Sequence, residues 1–242
     1  MPNITIGRRF TGPPNSGNGG YTAGTLALAA RGIDPSYGPE HAVTVTLRTP
    51  PPLGVPMDVE RAEDAVTLRD GDALVAEARP GSLSHDPVPA VPFARARDLQ
   101  STYAGLEHHP FPTCFTCGTD REPGDGLRLS PGLLEDGRTT ACTWTPDPSL
   151  GDSDGVAPAF VWAALDCPGA WTADLSGRPL VLGRITALVG APVRVGEPYV
   201  VMGRMLGQQG RKMSTATTLY SGDRAVARAE QVWITVDPGA FQ

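Results

Sequence analysis

The stretch Asp154-Gly-Val-Ala-Pro-Ala-Phe-Val-Trp-Ala-Ala-Leu-Asp166-Cys-Pro168 decides how this chain is interpreted. It predicts one buried helix, with Asp154 as the N-cap and Pro158 in the first turn, where a missing N–H costs little. We expect Cys167-Pro168-Gly169 to disturb or end the helix, because proline removes a helical hydrogen bond. The residues between these ends are apolar on every side, which is typical of a helix that protein surrounds.

Asp166 directly follows that apolar run. Burying an unpaired carboxylate is costly and raises its pKa, and ionisable groups in such places are enriched at functional sites. The plainer interpretation is a side chain at the helix end that reaches solvent or a backbone N–H. We favour a catalytic acid or base at Asp166, because of the segments that surround the helix.

Composition excludes several classes of protein. The chain has 242 residues and a formal net charge of −6, and no basic stripe points to nucleic acid. No apolar run approaches the roughly 18 residues of a membrane helix, and the N-terminus lacks a signal-peptide core. We therefore expect a cytoplasmic protein without a membrane partner, in which Cys114, Cys117, Cys142 and Cys167 are thiols.

Secondary-structure signals form two similar series. The first series has a short edge strand at 4–10, a turn-rich loop at 12–20, a helix at 21–30 with Asn18 as N-cap, and strands at 42–48 and 55–63. A hairpin at 65–69 and 73–78 follows, around Asp70-Gly71-Asp72. The second series has a hairpin at 126–130 and 138–144, the helix, and strands at 180–189, 198–206, 212–220 and 225–236.

An internal repeat connects the two series. Thr67-Leu-Arg-Asp-Gly-Asp-Ala-Leu-Val-Ala-Glu-Ala78 matches Thr218-Leu-Tyr-Ser-Gly-Asp-Arg-Ala-Val-Ala-Arg-Ala229 at 7 of 12 positions. Leu53-Gly-Val-Pro56 likewise matches Val195-Gly-Glu-Pro198. With the helices in corresponding places, this order indicates a duplication. We predict an N-terminal domain at 1–82, a Pro-rich linker at 83–112 and a C-terminal domain at 113–242.

Short motifs carry a resemblance to a known family. Cys114-Phe-Thr-Cys-Gly118, followed by Gly126-Leu-Arg-Leu129, resembles the entry of phenylacetate-pathway-type hotdog thioesterases. The helix ending in Ala164-Leu-Asp166 is similar to their helix ending in Leu-Ala-Asp. This resemblance covers residues 112–237, and the whole chain loosely resembles the tandem-hotdog acyl-CoA thioesterases. It implies an α+β double hotdog, in which each half is a central helix wrapped by a curled antiparallel sheet.

The resemblance also implies a site shared between two helices. In that family a His-Gly-Gly helix start binds the thioester carbonyl, and an acid eight residues after the first glycine activates water or attacks directly. Here Pro158 stands eight residues before Asp166 and has no N–H, whereas Ala27 stands eight residues after Gly19. Each half lacks what the other holds, so we expect one composite site, with Gly19 and Gly20 binding the carbonyl and Asp166 as base or nucleophile.

The predicted site includes further residues around this pair of helices. Asn18 belongs to the catalytic set, although Asn18-Gly-Gly20 is also an ordinary helix cap with turn glycines. The predicted substrate-binding residues are Asn15, Tyr21, Trp162, Arg211 and Lys212. Of these, Trp162 is a core residue or a pocket wall. Arg211-Lys212 is either a contact for a CoA phosphate or a solvated hairpin end.

The cysteine pair Cys114-x-x-Cys117, with His108 and His109 nearby, has a spacing that zinc can use. A second cysteine pair is absent from the sequence. We therefore favour a structural turn with buried thiols over zinc, a redox pair or a disulfide, and we predict no metal and no cofactor.

Together these features predict an acyl-CoA or related acyl-thioester hydrolase. The alternatives are a non-catalytic acyl-thioester-binding protein and a structural or partner-binding hotdog protein. Hydrolysis of acyl-CoA would support the hydrolase. Thermal stabilisation by acyl-CoA without hydrolysis would support the binding protein. A homo-oligomer is compatible with the sequence.

Overall fold

The computed structural model describes residues 2–241, with side chains described through Gly239. Three α-helices are present in this part of the chain: α1 (Gly19–Arg31), α2 (Phe93–Leu99) and α3 (Pro158–Ala170). The N-terminal strands are β1 (Asn3–Thr5), β2 (Ala42–Leu47), β3 (Pro56–Arg61), β4 (Val66–Asp70) and β5 (Ala73–Gly81). The later strands are β6 (Gly132–Leu133), β7 (Thr139–Trp144), β8 (Gly151–Asp152), β9 (Gly155–Val156), β10 (Leu180–Val189), β11 (Tyr199–Gln209), β12 (Lys212–Ser221) and β13 (Arg224–Thr235).

One antiparallel sheet runs through the molecule. Its strand order is β1-β3-β4-β5-β2-β10-β13-β12-β11-β7-β6, and β8 and β9 form a separate small ladder. The pairing of β2 with β10 joins the N-terminal strands to the C-terminal ones, with Val45 opposite Ile185. Outward from this junction the order β2-β5-β4-β3-β1 mirrors the order β10-β13-β12-β11-β7. The edge-to-edge junction places the two longest helices side by side.

Helices α1 and α3 cover one face of this sheet. α1 packs on β2, β5 and β10, α3 packs on β10, β11, β12 and β13, and the two helices pack on each other. The core lies between the helices and the sheet, where Leu26, Leu165 and Ile185 are fully buried. Burial of these apolar side chains supplies the main favourable term in folding. None of the helices in the described residues has the length and apolar character needed to cross a bilayer.

Helix α3 differs from its prediction at both ends. It begins at Pro158 with Ala157 as N-cap, whereas Asp154 is an exposed residue of the β8–β9 turn whose N–H donates to Asp152. Pro168 does not end the helix, which continues to Ala170. A proline in the last turn removes only one helical hydrogen bond, and its own carbonyl accepts one from Thr140 at 2.7 Å. Asp166 therefore lies inside the helix.

The predicted strand at 126–130 is also wrong. Gly126 and Arg128 have φ angles of +87° and +51°, which belong to the left-handed region rather than to a strand. The N–H groups of Leu127 and Leu129 instead donate to the carbonyls of Phe115 and Thr116. The short strand β6 takes the predicted place beside β7.

The segment at 83–112, predicted as a linker, contains α2. Its residues Val88 and Leu99 are buried in a small core on the other face of the sheet, with Val200 and Met202. The Val88 N–H donates to the Thr218 hydroxyl at 3.0 Å, and the Tyr220 hydroxyl donates to the Val88 carbonyl at 2.7 Å. This segment is therefore packed on the sheet, and the domain boundaries on either side of it remain predictions.

Candidate functional site

The carboxylate of Asp166 lies where α3 meets the start of α1. Asp166 is only 2% exposed. Its Oδ2 accepts a hydrogen bond from the Gly20 N–H at 3.0 Å and another from the Asn18 Nδ2 at 3.2 Å. Its Oδ1 has no hydrogen-bond partner among the described residues. Asp166 therefore does not reach solvent, but it does meet a backbone N–H, as the plainer interpretation also allowed. That N–H and the Asn18 amide come from the N-terminal half, whereas the carboxylate comes from the C-terminal half.

Two opposing influences act on this carboxyl group. Burial, the largest cause, and the nearby Cys114 thiol raise the pKa of Asp166, which with all influences combined is about 7. The Gly20 N–H and the Asn18 amide lower the pKa, because both donate to the charged form. The donors thus compensate part of the desolvation cost of a buried carboxylate.

Asn18 links three segments of the chain. Its Oδ1 accepts from the Tyr21 N–H at 2.8 Å, so its predicted role as N-cap of α1 is confirmed. Its Nδ2 donates to Asp166 and to the Thr116 hydroxyl at 3.2 Å, and lies 3.7 Å from the Cys114 sulfur. The Thr116 hydroxyl in turn donates to the Ala163 carbonyl of α3 at 3.0 Å. These bonds fix the start of α1 against α3.

A cavity of about 340 Å³ opens beside this arrangement. Gly19, Asn18 and Asp166 line it together with mostly apolar residues, including Leu47, Leu182 and Trp233. This size and character suit a small-molecule site with a few polar groups. In the described residues the Gly19 N–H has no hydrogen-bond partner, since it belongs to the first residue of the helix. Asp166 and the first residue of α1, whose N–H is unpaired, therefore both belong to the cavity wall.

The structure changes the role expected for Gly20. Its N–H is bonded to Asp166 and is not available to a carbonyl. A Cβ at this position would lie 2.6 Å from the Asp166 Cβ and 2.8 Å from the Trp162 carbonyl oxygen. Gly20 thus positions the acid, and the absence of a side chain lets the helices approach.

Three predicted substrate-binding residues lie away from the cavity. Trp162 is 1% exposed and belongs to the core, so it is not a pocket wall. Tyr21 is half-buried and stacks on Phe10, with ring centroids 3.9 Å apart. Asn15 is exposed in the loop before α1, with a φ angle of +61°. The neighbours Pro13 and Ser16 line the cavity instead.

A second, basic pocket lies next to the cavity, with a volume of about 600 Å³. Arg48, Arg184 and Lys212 line it, and no Asp or Glu among the described residues does. It shares Leu47, Arg48, Gly183 and Ile234 with the cavity, so the two spaces adjoin. Lys212 lines this pocket, and its substrate-binding role stays a prediction. Arg211 is exposed in the adjoining turn and is not part of the wall. The sequence pattern did not single out Arg48 or Arg184, because each is an isolated charge on a predicted strand.

Sequence reasoning also missed a polar network under α3. The Gln231 amide donates to the Leu165 carbonyl at 2.6 Å and to the Thr217 hydroxyl at 2.8 Å, and its oxygen accepts from Thr215 at 2.8 Å. Gln231 is 2% exposed. It holds the backbone directly before Asp166. An isolated glutamine in an alternating strand carries no sequence signal for such a role.

A third missed feature is a cluster of thiols. Cys167 follows Asp166 on α3 and brings its sulfur beside Cys114 and Cys117, so that the three sulfur atoms lie within 4.8 Å of one another. All four cysteines are buried and free. The expectation of no metal rested on the lack of a second cysteine pair, and it did not consider Cys167, which is 50 residues further along the chain (167 − 117 = 50).

Comparison with solved structures identifies the fold. A tesB protein of Mycobacterium avium subsp. paratuberculosis matches with a TM-score of 0.63 and 14% identity, over 97% of this chain and 96% of that one. A hotdog-fold protein from Alicyclobacillus acidocaldarius matches with a TM-score of 0.63 and 17% identity, over 98% of this chain and 92% of that one. An acyl-CoA thioesterase II, TesB2, from Mycobacterium marinum matches with a TM-score of 0.59 and 17% identity, over 92% of this chain and 90% of that one.

These likenesses extend over almost the whole chain at low sequence identity, so they define its fold. The protein has a hotdog fold, with a large antiparallel sheet and few helices, and the predicted resemblance to hotdog thioesterases is confirmed at the level of structure. No family model and no curated protein sequence matches the chain.

Proposed function

We propose that this protein is an acyl-CoA thioesterase with one composite site between its two halves. The observation that carries the proposal is the Asp166 carboxylate, which α3 presents at the cavity and which Gly20 and Asn18 of the other half hold in place. A buried, oriented carboxylate in an apolar cavity is the usual arrangement for a general base or nucleophile. The acyl-CoA thioesterase II TesB2 of Mycobacterium marinum has the same fold.

The proposed chemistry is hydrolysis of the thioester bond. A water molecule gives a proton to the free Oδ1 of Asp166 as its oxygen attacks the acyl carbonyl carbon. The carbonyl oxygen then carries negative charge, and the unpaired Gly19 N–H at the positive end of α1 stabilises it. The carbon–sulfur bond breaks, the thiolate leaves, and the proton held by Asp166 passes to the sulfur.

We also propose that the fold is a double hotdog that arose by duplication. Three features beyond the mirrored strand order support it. Gly54 and Gly196 have φ angles of +73° and +77° at matching turns, and the hairpin glycines Gly71 and Gly222 have +55° and +56°. The β4–β5 and β12–β13 ladders are each irregular at the matching leucine, Leu68 or Leu219. Bulges tend to be conserved among related sheets, so an irregularity at the same repeat position in both halves supports a common origin.

The basic pocket is the proposed site for the phosphates of CoA. Its three cations lie next to the cavity, and Arg48 comes from the N-terminal half while Arg184 and Lys212 come from the C-terminal half. Arg48 also pairs with Glu77, whereas no ion pair is found for Lys212 in the described part of the chain. Cations without opposing carboxylates attract phosphate groups and are sensitive to salt.

Asp166→Asn tests the proposed function. The full chain is incubated with acyl-CoAs of several chain lengths, and free thiol is measured. The wild type is expected to hydrolyse at least one of them, and the variant to lose about 10²-fold or more in kcat, because a general base contributes this much. Asp154→Asn is the matched control, since it removes an exposed carboxylate from the turn before the same helix.

The folded state of both variants is checked by circular dichroism. Full activity in a folded Asp166→Asn protein would overturn the role of this carboxylate. Thermal stabilisation of the wild type by acyl-CoA without any release of thiol would instead identify a binding protein and contradict the proposed activity.

Lys212→Ala tests the phosphate site. We expect KM for acyl-CoA to rise several-fold while kcat is unchanged, because a phosphate contact remote from the thioester contributes uniform binding. Raised salt should diminish the difference between variant and wild type. Arg211→Ala, one residue away and outside the pocket, should leave KM unchanged. An equal effect of both variants would mean that only the general charge of this surface matters.

A further inference from the structure

We propose that the sulfur atoms of Cys114, Cys117 and Cys167 form a binding site for Zn²⁺. The three thiols come from two separate segments, a turn at 114–118 and helix α3, and the fold brings them together in the interior. This proposal reverses the expectation of no metal. It does not depend on the proposed hydrolysis, since it concerns only the thiols and their surroundings.

The spacing of the sulfur atoms fits a tetrahedral metal ion. Zn–S bonds of about 2.3 Å in a tetrahedron place two sulfurs about 3.8 Å apart. The sulfurs of Cys114 and Cys167 are separated by 3.8 Å, and all three sulfurs lie within 4.8 Å of one another. A central ion therefore requires only small shifts of side chains. Hydrophobic packing alone gives no reason for three separate thiols to meet at this distance.

The turn that carries two of the thiols has the form of a metal-binding turn. In Cys114-Phe-Thr-Cys117-Gly118, the Gly118 N–H donates to the Cys114 carbonyl at 2.8 Å. A Cβ at Gly118 would lie 2.4 Å from the Pro112 carbonyl oxygen and 2.5 Å from that of Cys114, so the turn requires glycine. Two cysteines with two residues between them in such a turn are a usual half-site for structural zinc.

Neighbouring groups supply the outer contacts that metal ligands need. The Asn18 amide lies 3.7 Å from the Cys114 sulfur. His109 packs beside the cluster but is not a ligand, because one ring nitrogen contacts the Cys117 carbonyl and the other accepts from the Phe111 N–H. Donors around a thiolate stabilise its charge and orient it toward the ion.

The donor set also indicates which ion binds. Thiolates select soft or borderline ions, and a set of three sulfurs suits Zn²⁺ rather than Mg²⁺ or Ca²⁺. Cys114 and Cys167 line the cavity, which gives the ion a path of entry. Three protein ligands leave a fourth position for water or another small ligand, as in zinc sites that are not purely structural.

Metal analysis of the full chain tests the proposal. The protein is purified from cells grown with added zinc, and its metal content is measured by mass spectrometry. We expect about one zinc per chain, consistent with one cluster. The reduced, metal-free protein is then titrated with Co²⁺. We expect thiolate-to-cobalt charge-transfer absorption and the intense visible bands of tetrahedral Co²⁺, both lost when Zn²⁺ displaces the cobalt.

Matched variants assign the site. Cys167→Ala should abolish the charge-transfer absorption and the bound zinc, whereas Cys142→Ala should keep both, because Cys142 is an equally buried thiol in β7 outside the cluster. Alkylation of the wild type, followed by peptide mass spectrometry, provides a test that needs no variant. Zinc should protect Cys114, Cys117 and Cys167 together.

Several outcomes would overturn the proposal. They are reduced protein that binds neither Co²⁺ nor Zn²⁺, a disulfide among the three cysteines in the protein as purified, and a Cys167→Ala protein that keeps the cobalt spectrum. None of these measurements uses acyl-CoA. A failure of the metal site is therefore distinguishable from a failure of the proposed thioesterase activity.

Discussion

Helices α1 and α3 are both 13 residues long and occupy matching places in the sheet, but their sequences differ at the positions that matter for the site. α1 begins with Gly19 and Gly20 and has Ala27 at its ninth position. α3 begins with Pro158 and has Asp166 at its ninth position. The first helix keeps an accessible N-terminus, and the second keeps the acid.

This difference agrees with the proposed duplication, in which one of two equivalent sites is kept. The N-terminus of α1 lies next to Asp166, so both retained parts meet in one cavity. At the other end of the helix pair, Pro158 has no N–H and the buried Ala27 has no carboxylate. The proposed composite site therefore accounts for both losses, because neither part is needed at the second location. Three predictions concern this asymmetry and the contact that maintains it.

Gly24→Ala should have the largest effect on stability. A Cβ at Gly24 would lie 2.7 Å from the Trp162 Cβ and 2.9 Å from the Ala159 Cα, neither of which can move without α3. Overpacking of about 3 kcal/mol, offset by about 1 kcal/mol of helix propensity, gives a net loss near 2 kcal/mol in the free energy of unfolding. Urea denaturation measures the loss.

Gly32→Ala is the control for that prediction. Its Cβ would meet only the Ala29 carbonyl oxygen, at 3.4 Å, and its φ of −73° suits alanine. We expect no loss, or a gain of about 0.5 kcal/mol. Equal stability of Gly24→Ala and wild type would show that the two helices are not held at this close approach.

Asn18→Ala should have the next largest effect. It removes the side-chain cap of α1 and one donor to the buried Asp166. The free energy of unfolding should fall by about 1 kcal/mol for the cap, within the usual range for such substitutions. Asn3→Ala, at an exposed position of β1, should be neutral. A neutral Asn18→Ala would show that the cap contributes nothing to stability, and chemical denaturation of both variants gives the comparison.

Ala157→Asn should have the smallest effect and the opposite sign. Ala157 caps α3 with φ −58° and ψ 131°, almost the same as the −58° and 129° of Asn18, but it has no capping side chain and is exposed. Asparagine at this position should stabilise the protein by about 0.5 kcal/mol. Ala157→Leu, which cannot cap, should give no gain in the same thermal unfolding experiment. A gain from leucine as well would point to burial rather than to capping.

Much of the fold was predictable because its signals are local. The N-cap at Asn18, the hairpin turns with their positive-φ glycines, and the strands β10 to β13 all follow from short sequence patterns. The repeat predicted matching halves, and the mirrored strand order agrees with it. The errors arose where packing overrides a local signal. Pro168 remains helical within a buried last turn, and residues 126–130 bond to the Cys114–Gly118 turn instead of forming a strand.

The candidate site was predictable only in part. The sequence alone determined that Asp166 follows an apolar run and that the glycines and the acid stand in different halves, since both statements need only residue order. The tertiary structure decided that Gly20 holds the acid rather than a carbonyl, that Cys167 joins Cys114 and Cys117, and that Gln231 supports α3. These contacts join residues up to 148 positions apart. They depend on the pairing of β2 with β10 and on the close approach of two helices, which no local pattern encodes.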